Sequence, residues 1–210
     1  MNENNRLKWV TNSKARALIG LLAFSFASLA LQYEPISKLV EWNRTAITNG
    51  EVWRIVTGHF THSNFYHLAM NLAAMWLICA IFKPSKRRLT TLIIINSVFV
   101  GLLLYTTSYT NYVGLSGILH GLIANLALRE ALNGNRSSWI IVAVLMVKIF
   151  LENTLGTSIT TSELIQTKVA YEAHTFGAIC GFALACIESI KAFNGWWHGG
   201  GDVSKTFLEK

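Results

Sequence analysis

Apolar residues run along this chain in long blocks separated by short polar breaks, and the blocks show neither strand alternation nor a one-sided helical stripe. Six of them are long enough, or nearly so, to be read as membrane helices: 17–33, 67–82, 89–107, 113–128, 139–151 and 173–190. A helix needs about 20 mainly apolar residues to cross the hydrocarbon core, so the shorter blocks have ends that extend by several residues. The breaks carry turn chemistry. Lys83-Pro84-Ser85-Lys86-Arg87-Arg88 is a tight basic turn, and Asn133-Gly134-Asn135 marks another within 132–138. Two longer breaks remain, 34–64 and 152–171. The first contains Trp42 and Trp53. Because tryptophan favours the membrane–water boundary, it reads as a loop lying on the outer surface.

Composition agrees with this pattern. The 210 residues are 52% hydrophobic and only 14% charged, against about 25% charged in a soluble domain. Little chain is left for anything else, so the expected architecture is an all-α membrane protein, a six-transmembrane-helix bundle over residues 17–192. A cytoplasmic segment 1–16 precedes it and a cytoplasmic tail 193–210 follows.

The net charge of +7 reports topology rather than a nucleic-acid partner. Arg6, Lys8, Lys14 and Arg16 precede the first block, and Lys83, Lys86, Arg87 and Arg88 fill the turn after the second. Arg129 and Arg136 follow the fourth, with Lys191, Lys205 and Lys210 at the end. Lysine and arginine are enriched on the cytoplasmic side, which puts both termini inside. Lys38, Arg44, Arg54 and Lys168 fall in external loops, and Lys148 lies within the fifth block. The first block, with small residues Ala27, Ser28 and Ala30, also fits a cleaved leader; cleavage would leave the later orientation unchanged. Cys79, Cys180 and Cys186 all lie in spans without metal-ligand spacing, as small packing residues do.

Orientation then aligns the chemistry. The even-numbered spans run from outside to inside, so His67 and Asn71 in the second, Ser116 in the fourth and His174 in the sixth share one depth near the outer leaflet. Ionisable groups in a membrane are costly and face the bundle interior or a cavity. A serine becomes nucleophilic when a neighbouring base takes its proton, and imidazole is the usual base near pH 7. Close approach of the two helices has a sequence basis. Gly117 and Gly121 form one small-xxx-small step, and Gly177, Gly181 and Ala185 continue another. His174 shares a helix face with Gly177 and Gly181.

Backbone N–H groups at the start of the fourth span lack intrahelical partners. With the side chains of His67 and Asn71, four apart on one face, they form a candidate oxyanion site for a tetrahedral intermediate. No acidic residue reads as a third member: Glu172, two residues from His174, points elsewhere on a helix. The reading is therefore a Ser116–His174 dyad.

Alternatives attach to each residue. His120, four after Ser116, offers a same-helix base, but a packing or substrate-contacting role suits it better. His59 and His62 lack the carboxylate or cysteine that would complete a metal site and read as loop residues. His67 and His174 at matching depth would also suit a bis-histidine haem, but that leaves Gly114-Leu115-Ser116-Gly117 without a purpose.

Together His67-Leu68-Ala69-Met70-Asn71, Gly114-Leu115-Ser116-Gly117 and Ala173-His174-Thr175-Phe176-Gly177 resemble the rhomboid intramembrane serine proteases. Trp53-Arg54 resembles the Trp-Arg pair of that family's first loop, and the likeness covers residues 50–188. It implies Ser116 as nucleophile, His174 as general base, and His67, Asn71 and the Ser116 amide as the oxyanion site. It also implies substrate contact at Trp53 and His120, and structural roles for Arg54, Gly114, Gly117, Gly121, Gly177 and Gly181. No cofactor and no metal are expected. The small size and the His120-Gly121 after the serine motif are most similar to the rhombosortase branch. That branch implies a bacterial inner-membrane enzyme with its active site on the periplasmic side. Its substrates are membrane-anchored proteins with a C-terminal transmembrane tail and a Gly-Gly motif. Other single-span substrates are the alternative, and a non-catalytic binding protein of the same fold is the rival class. Loop 152–171, directly before His174, is a candidate cap over the site.

Overall fold

A computed structural model describes residues 3–156 and 159–198, with side chains described at 15, 18–156 and 161–190. Six long helices account for most of it: α1 (Glu3–Ala30), α5 (Phe65–Phe82), α6 (Lys86–Leu103), α7 (Ser116–Leu132), α8 (Ser138–Leu155) and α10 (Tyr171–His198). Short helices α2 (Ile36–Val40), α3 (Arg44–Thr48) and α4 (Arg54–Thr57) build the first long connection, and α9 (Ile159–Ile165) lies in the second. By length and composition four helices can cross a membrane: Phe65–Phe82, Lys86–Thr106, Ser138–Leu155 and Tyr171–Ile190; Leu18–Ala30 is a shorter apolar helix. Helix α1 continues unbroken through residue 16, with no boundary where an N-terminal segment was expected to end. The expected tail beyond 198, with Lys205 and Lys210, lies outside the described residues, as do the side chains of Arg6, Lys8, Lys14, Arg16 and Lys191.

Helix ends follow local chemistry. Asn64 accepts from the His67 amide to start α5 (2.9 Å), and Ser85 accepts from the Arg88 amide to start α6 (3.2 Å). Lys83 closes α5 in the left-handed region with Pro84 behind it.

Helix α7 is the axis of the bundle. It is only 17 residues long and is buried on nearly every side, with α5, α6, α8 and α10 packed around it. Met75, Ile78, Leu92, Ile118 and Leu122 fill the space between α5, α6 and α7. Helix α8 is the opposite case: only 11% of its span is buried, and Ile140, Val144, Val147 and Phe150 face outward. In lipid an outward apolar face carries no hydrophobic penalty, because acyl chains are as apolar as leucine.

The first connection is not a surface loop. Trp42 is fully buried and donates its indole N–H to the Gly101 carbonyl at 2.9 Å. It belongs to a two-residue antiparallel pair, β1 (Trp42–Asn43) with β2 (Asn111–Tyr112), that ties the connection to the approach to α7. Arg44 spends its guanidinium on the carbonyls of Leu104, Tyr105, Thr107 and Tyr109, at 2.8–3.1 Å. Those carbonyls lie in the turn and loop that follow α6, and a guanidinium suits such a cluster of acceptors. Tryptophan's preference for the interface lost here to a satisfied indole in a closed apolar pocket.

Candidate active site

The chain reaches Ser116 through a forced turn. Gly114 sits at φ +122°, a conformation open to glycine at no steric cost. A Cβ there would also stand 2.8 Å from His67 Cε1. The Tyr112 hydroxyl donates to the Gly114 carbonyl (2.7 Å), and the Gly114 amide donates to Gly58 O (3.3 Å). Burial pushes the Tyr112 phenol up, against hydrogen bonds with the Gly117 backbone and the Ser116 side chain that lower it. Helix α7 begins at Ser116, and Leu119 N–H to Leu115 O (3.1 Å) begins its ladder. The amides of Ser116 and Gly117 precede that bond.

Helix α10 runs beside α7 at backbone contact. A Cβ on Gly177 would overlap the Gly117 carbonyl and lie 3.3 Å from Gly121 N. One on Gly181 would overlap the Gly121 carbonyl, and one on Gly117 would come within 2.9 Å of Ala173 O. The two glycine series expected to mesh therefore do so. Their meshing brings His174 Nε2 to 2.9 Å from Ser116 Oγ. His174 is buried, whereas Ser116 is partly open.

His120 does not compete for the serine hydroxyl. Its Nδ1–H donates to the Ser116 carbonyl (2.7 Å), and its ring stacks on His174 with centroids 4.1 Å apart and planes 10° from parallel. The same-helix dyad is thus removed, and His120 lies against the face of the His174 ring.

The expectation that no carboxylate serves His174 is corrected. Glu152 Oε2 lies 2.9 Å from His174 Nδ1. The fifth span does not end at 151; α8 continues to Leu155 and carries Glu152 on its inner side. A carboxylate accepts only, so Nδ1 of a neutral His174 holds the proton and the Nε2 lone pair faces the serine O–H. Lys148, one turn back, pairs with the other carboxylate oxygen. A lysine and a glutamate four apart near the end of an apolar run was the available signal that the helix continues. His120, Glu152 and His174 could offer three ligand atoms within 4.8 Å of one another. Imidazole lone pairs lie in the ring plane, and near-parallel stacked rings do not converge on one ion. Both His174 nitrogens are engaged, so His174 offers no lone pair to a haem paired with His67.

The proposed oxyanion side chains lie in the same wall but differ in what they offer. Asn71 is buried and donates one N–H to its own helix at His67 O (3.2 Å), keeping the second. Ser63 donates to Ile165 O (2.6 Å) and so accepts from His67 Nδ1 (3.1 Å). Neutral His67 then presents a lone pair on Nε2 toward Gly114. Helix α9 is held there by the same Ser63 and by Asn64 Nδ2, which donates to Leu164 O at 3.0 Å.

His59 and His62 lie in the connection before α5, as read, but both are buried there. His59 donates from Nε2 to Ser97 O (3.0 Å), and burial holds its pKa down to about 4. His62 stands edge-on to His67; burial, then its neighbour His67, holds its pKa down to about 3. Arg54 is buried and donates to Glu51 Oε2 and to the carbonyls of Lys38 and Glu41. Trp53 is half exposed and donates to Leu39 O (3.2 Å), away from the serine–histidine pair in its hydrogen bonding.

The chain matches the Rhomboid domain over residues 49–191. It is also similar to a protein of Bacillus subtilis (strain 168) named "Putative rhomboid protease YdcA", 26% identical over an alignment of 174 residues that covers 73% of this chain and 80% of the relative. With the match covering well over half of its length, the chain belongs to the rhomboid family, whose members are intramembrane serine proteases.

Proposed function

We propose that this protein is a serine endopeptidase in which Ser116 is the nucleophile and His174 the general base. One observation carries the reading: His174 Nε2 lies 2.9 Å from Ser116 Oγ across two helices that touch at their backbones. In the reaction, the serine O–H proton passes to His174 Nε2 as Oγ bonds to the scissile carbonyl carbon. His174 then returns that proton to the leaving amine as the C–N bond breaks, and water repeats the sequence on the acyl-serine. The oxyanion donors are the Ser116 amide and the second N–H of Asn71. His67 joins them only in its other neutral tautomer, with the proton on Nε2 and the Ser63 hydroxyl donating to Nδ1. Tyr112, bonded at the foot of α7, keeps the Gly114 turn in shape.

The chain folds as one unit over 17–192, with six spans, both termini cytoplasmic and the serine near the periplasmic face of a bacterial inner membrane. The distribution of lysine and arginine supports this orientation. Short α7 spans because it is sheathed by its neighbours. The substrates are membrane-anchored proteins with a C-terminal transmembrane tail, on the rhombosortase pattern of Gly-Gly sorting tails; Trp53 and His120 are the substrate-contacting side chains. Helix α9, bonded to Ser63 and Asn64, caps the site.

Fluorophosphonate labelling of the purified protein in detergent tests the reading, comparing wild type with Ser116→Ala and His174→Ala. Labelling of wild type falls to background in both variants. A folded wild type that neither labels nor cleaves a Gly-Gly-tailed reporter sinks the proposal and leaves a non-catalytic binding protein. Cleavage of unrelated single-span reporters as fast as the Gly-Gly reporter would remove the tail preference and keep the protease.

A further inference from the structure

We infer that Glu152 is a positioning residue for His174, so that the serine and histidine work with a third member supplied by α8. The inference rests on the reading of Ser116 and His174 given above.

Three observations carry it. Glu152 Oε2 lies 2.9 Å from His174 Nδ1, on the ring edge opposite Ser116. The carboxylate is held from turning, because Lys148 pairs with its other oxygen and its side chain is only 16% exposed. It also occupies the one polar patch of a helix that otherwise presents Ile140, Val144, Val147 and Phe150 outward. An ionisable side chain costs a few kcal/mol in a membrane helix and is kept where it faces a partner. The neighbouring Asn153 donates to Thr175 Oγ1 (2.9 Å), so two adjacent bonds seat this turn of α8 on the first turns of α10.

The chemistry follows from direction. Glu152 takes no proton. It accepts from Nδ1–H before, during and after transfer, which fixes the tautomer whose Nε2 can receive the serine proton. It also offsets the positive charge on the imidazolium that forms. His120 holds the ring from one face by stacking, which does not decide which nitrogen carries the proton; the Glu152 carboxylate at Nδ1 does. A carboxylate-free site would have to select the tautomer by some other bond, and among the described residues no other hydrogen bond reaches Nδ1.

The test compares wild type, Glu152→Gln, Glu152→Asp and Asn153→Ala as full chains in detergent. It reads the second-order rate of fluorophosphonate labelling and the 15N spectrum of histidine-labelled protein, with His174 assigned from the spectrum of His174→Ala. Wild-type His174 is expected as the Nδ1–H tautomer. Glu152→Gln slows labelling by up to about 10⁴-fold, the size of the corresponding change in a soluble triad, and redistributes the His174 tautomers. Glu152→Asp recovers part of the rate, and Asn153→Ala keeps it within a few-fold.

Wild type that labels normally while Glu152→Gln labels at the same rate overturns the inference and leaves the protease reading intact. So does a wild-type His174 already protonated on Nε2, a result that stands even if Glu152→Gln does not fold. Equal slowing in Asn153→Ala and Glu152→Gln reduces Glu152 to a helix clasp. Failure of folded wild type to label at all is the separate failure of the protease reading.

Discussion

Along the seam between α7 and α10, glycine brings backbone against backbone, whereas α8 is held to the same pair by side chains reaching across. The seam has no room to adjust: a single added methyl at Gly177 meets the Gly117 carbonyl. The α8 contact rests on Leu145 packed with Ala124 and Ala178, and on the Glu152 and Asn153 bonds, while most of the helix faces outward. Placement of Ser116 against His174 is thus a property of main-chain packing. Orientation of the His174 ring depends on a helix held by a few polar contacts, and such elements come from the less stable end of a structure.

The largest expected effect breaks the seam. Gly177→Leu forces α7 and α10 apart, costing about 3 kcal/mol or more because backbone cannot yield as side chains do. It also ends labelling of Ser116, since even a 1 Å misplacement costs about 10²-fold. Thermal unfolding in detergent, run beside the labelling assay, checks both outcomes.

A second effect tests the first connection, where side-chain bonds from Trp42 and Arg44 are joined by the burial of two histidines. His59 and His62 are neutral in the fold, with pKa values down to about 4 and about 3, while the unfolded chain binds their protons near pH 6.5. The unfolded state therefore takes up more protons below that value. Stability is complete above pH 6.5 and is lost progressively as pH falls toward 4. The unfolding midpoint, followed from pH 7.5 to 4.5, should decline; a flat midpoint would mean that both rings are charged or exposed.

The smallest effect lies on the outer side of α8. Val144→Ala, at a position 63% exposed, should leave the unfolding midpoint and the labelling rate unchanged within about 0.5 kcal/mol. A loss comparable to that of Gly177→Leu would show that α8 is packed as tightly as the seam, and the contrast would collapse.

Much of the site could be read from the residues. Gly117, Gly121, Gly177 and Gly181 lie at helical spacing, and only helices in backbone contact give that pattern a use, so the approach of Ser116 to His174 followed. The miss at Glu152 came from one boundary. Counting apolar residues ended the fifth span at 151, and a charged residue just beyond an apolar run reads as the start of a loop. Hydropathy sums cannot tell a charged residue facing water from one facing a histidine on another helix. The same limit hid the burial of Trp42 and His59, whose partners, the Gly101 and Ser97 carbonyls, come from distant parts of the chain.

By itself the sequence determined that the chain is a helical membrane protein of the rhomboid type, with a serine and a histidine on two glycine-lined helices. Those features are local: hydropathy, helical period and small-residue spacing act over a few turns. Only the tertiary structure decided which carboxylate meets His174, that His120 stacks instead of competing for the serine, and that His67 points its Nδ1 proton at Ser63. Each depends on the direction of a bond between groups on different elements, and direction is set by the packing of helices rather than by the order of residues.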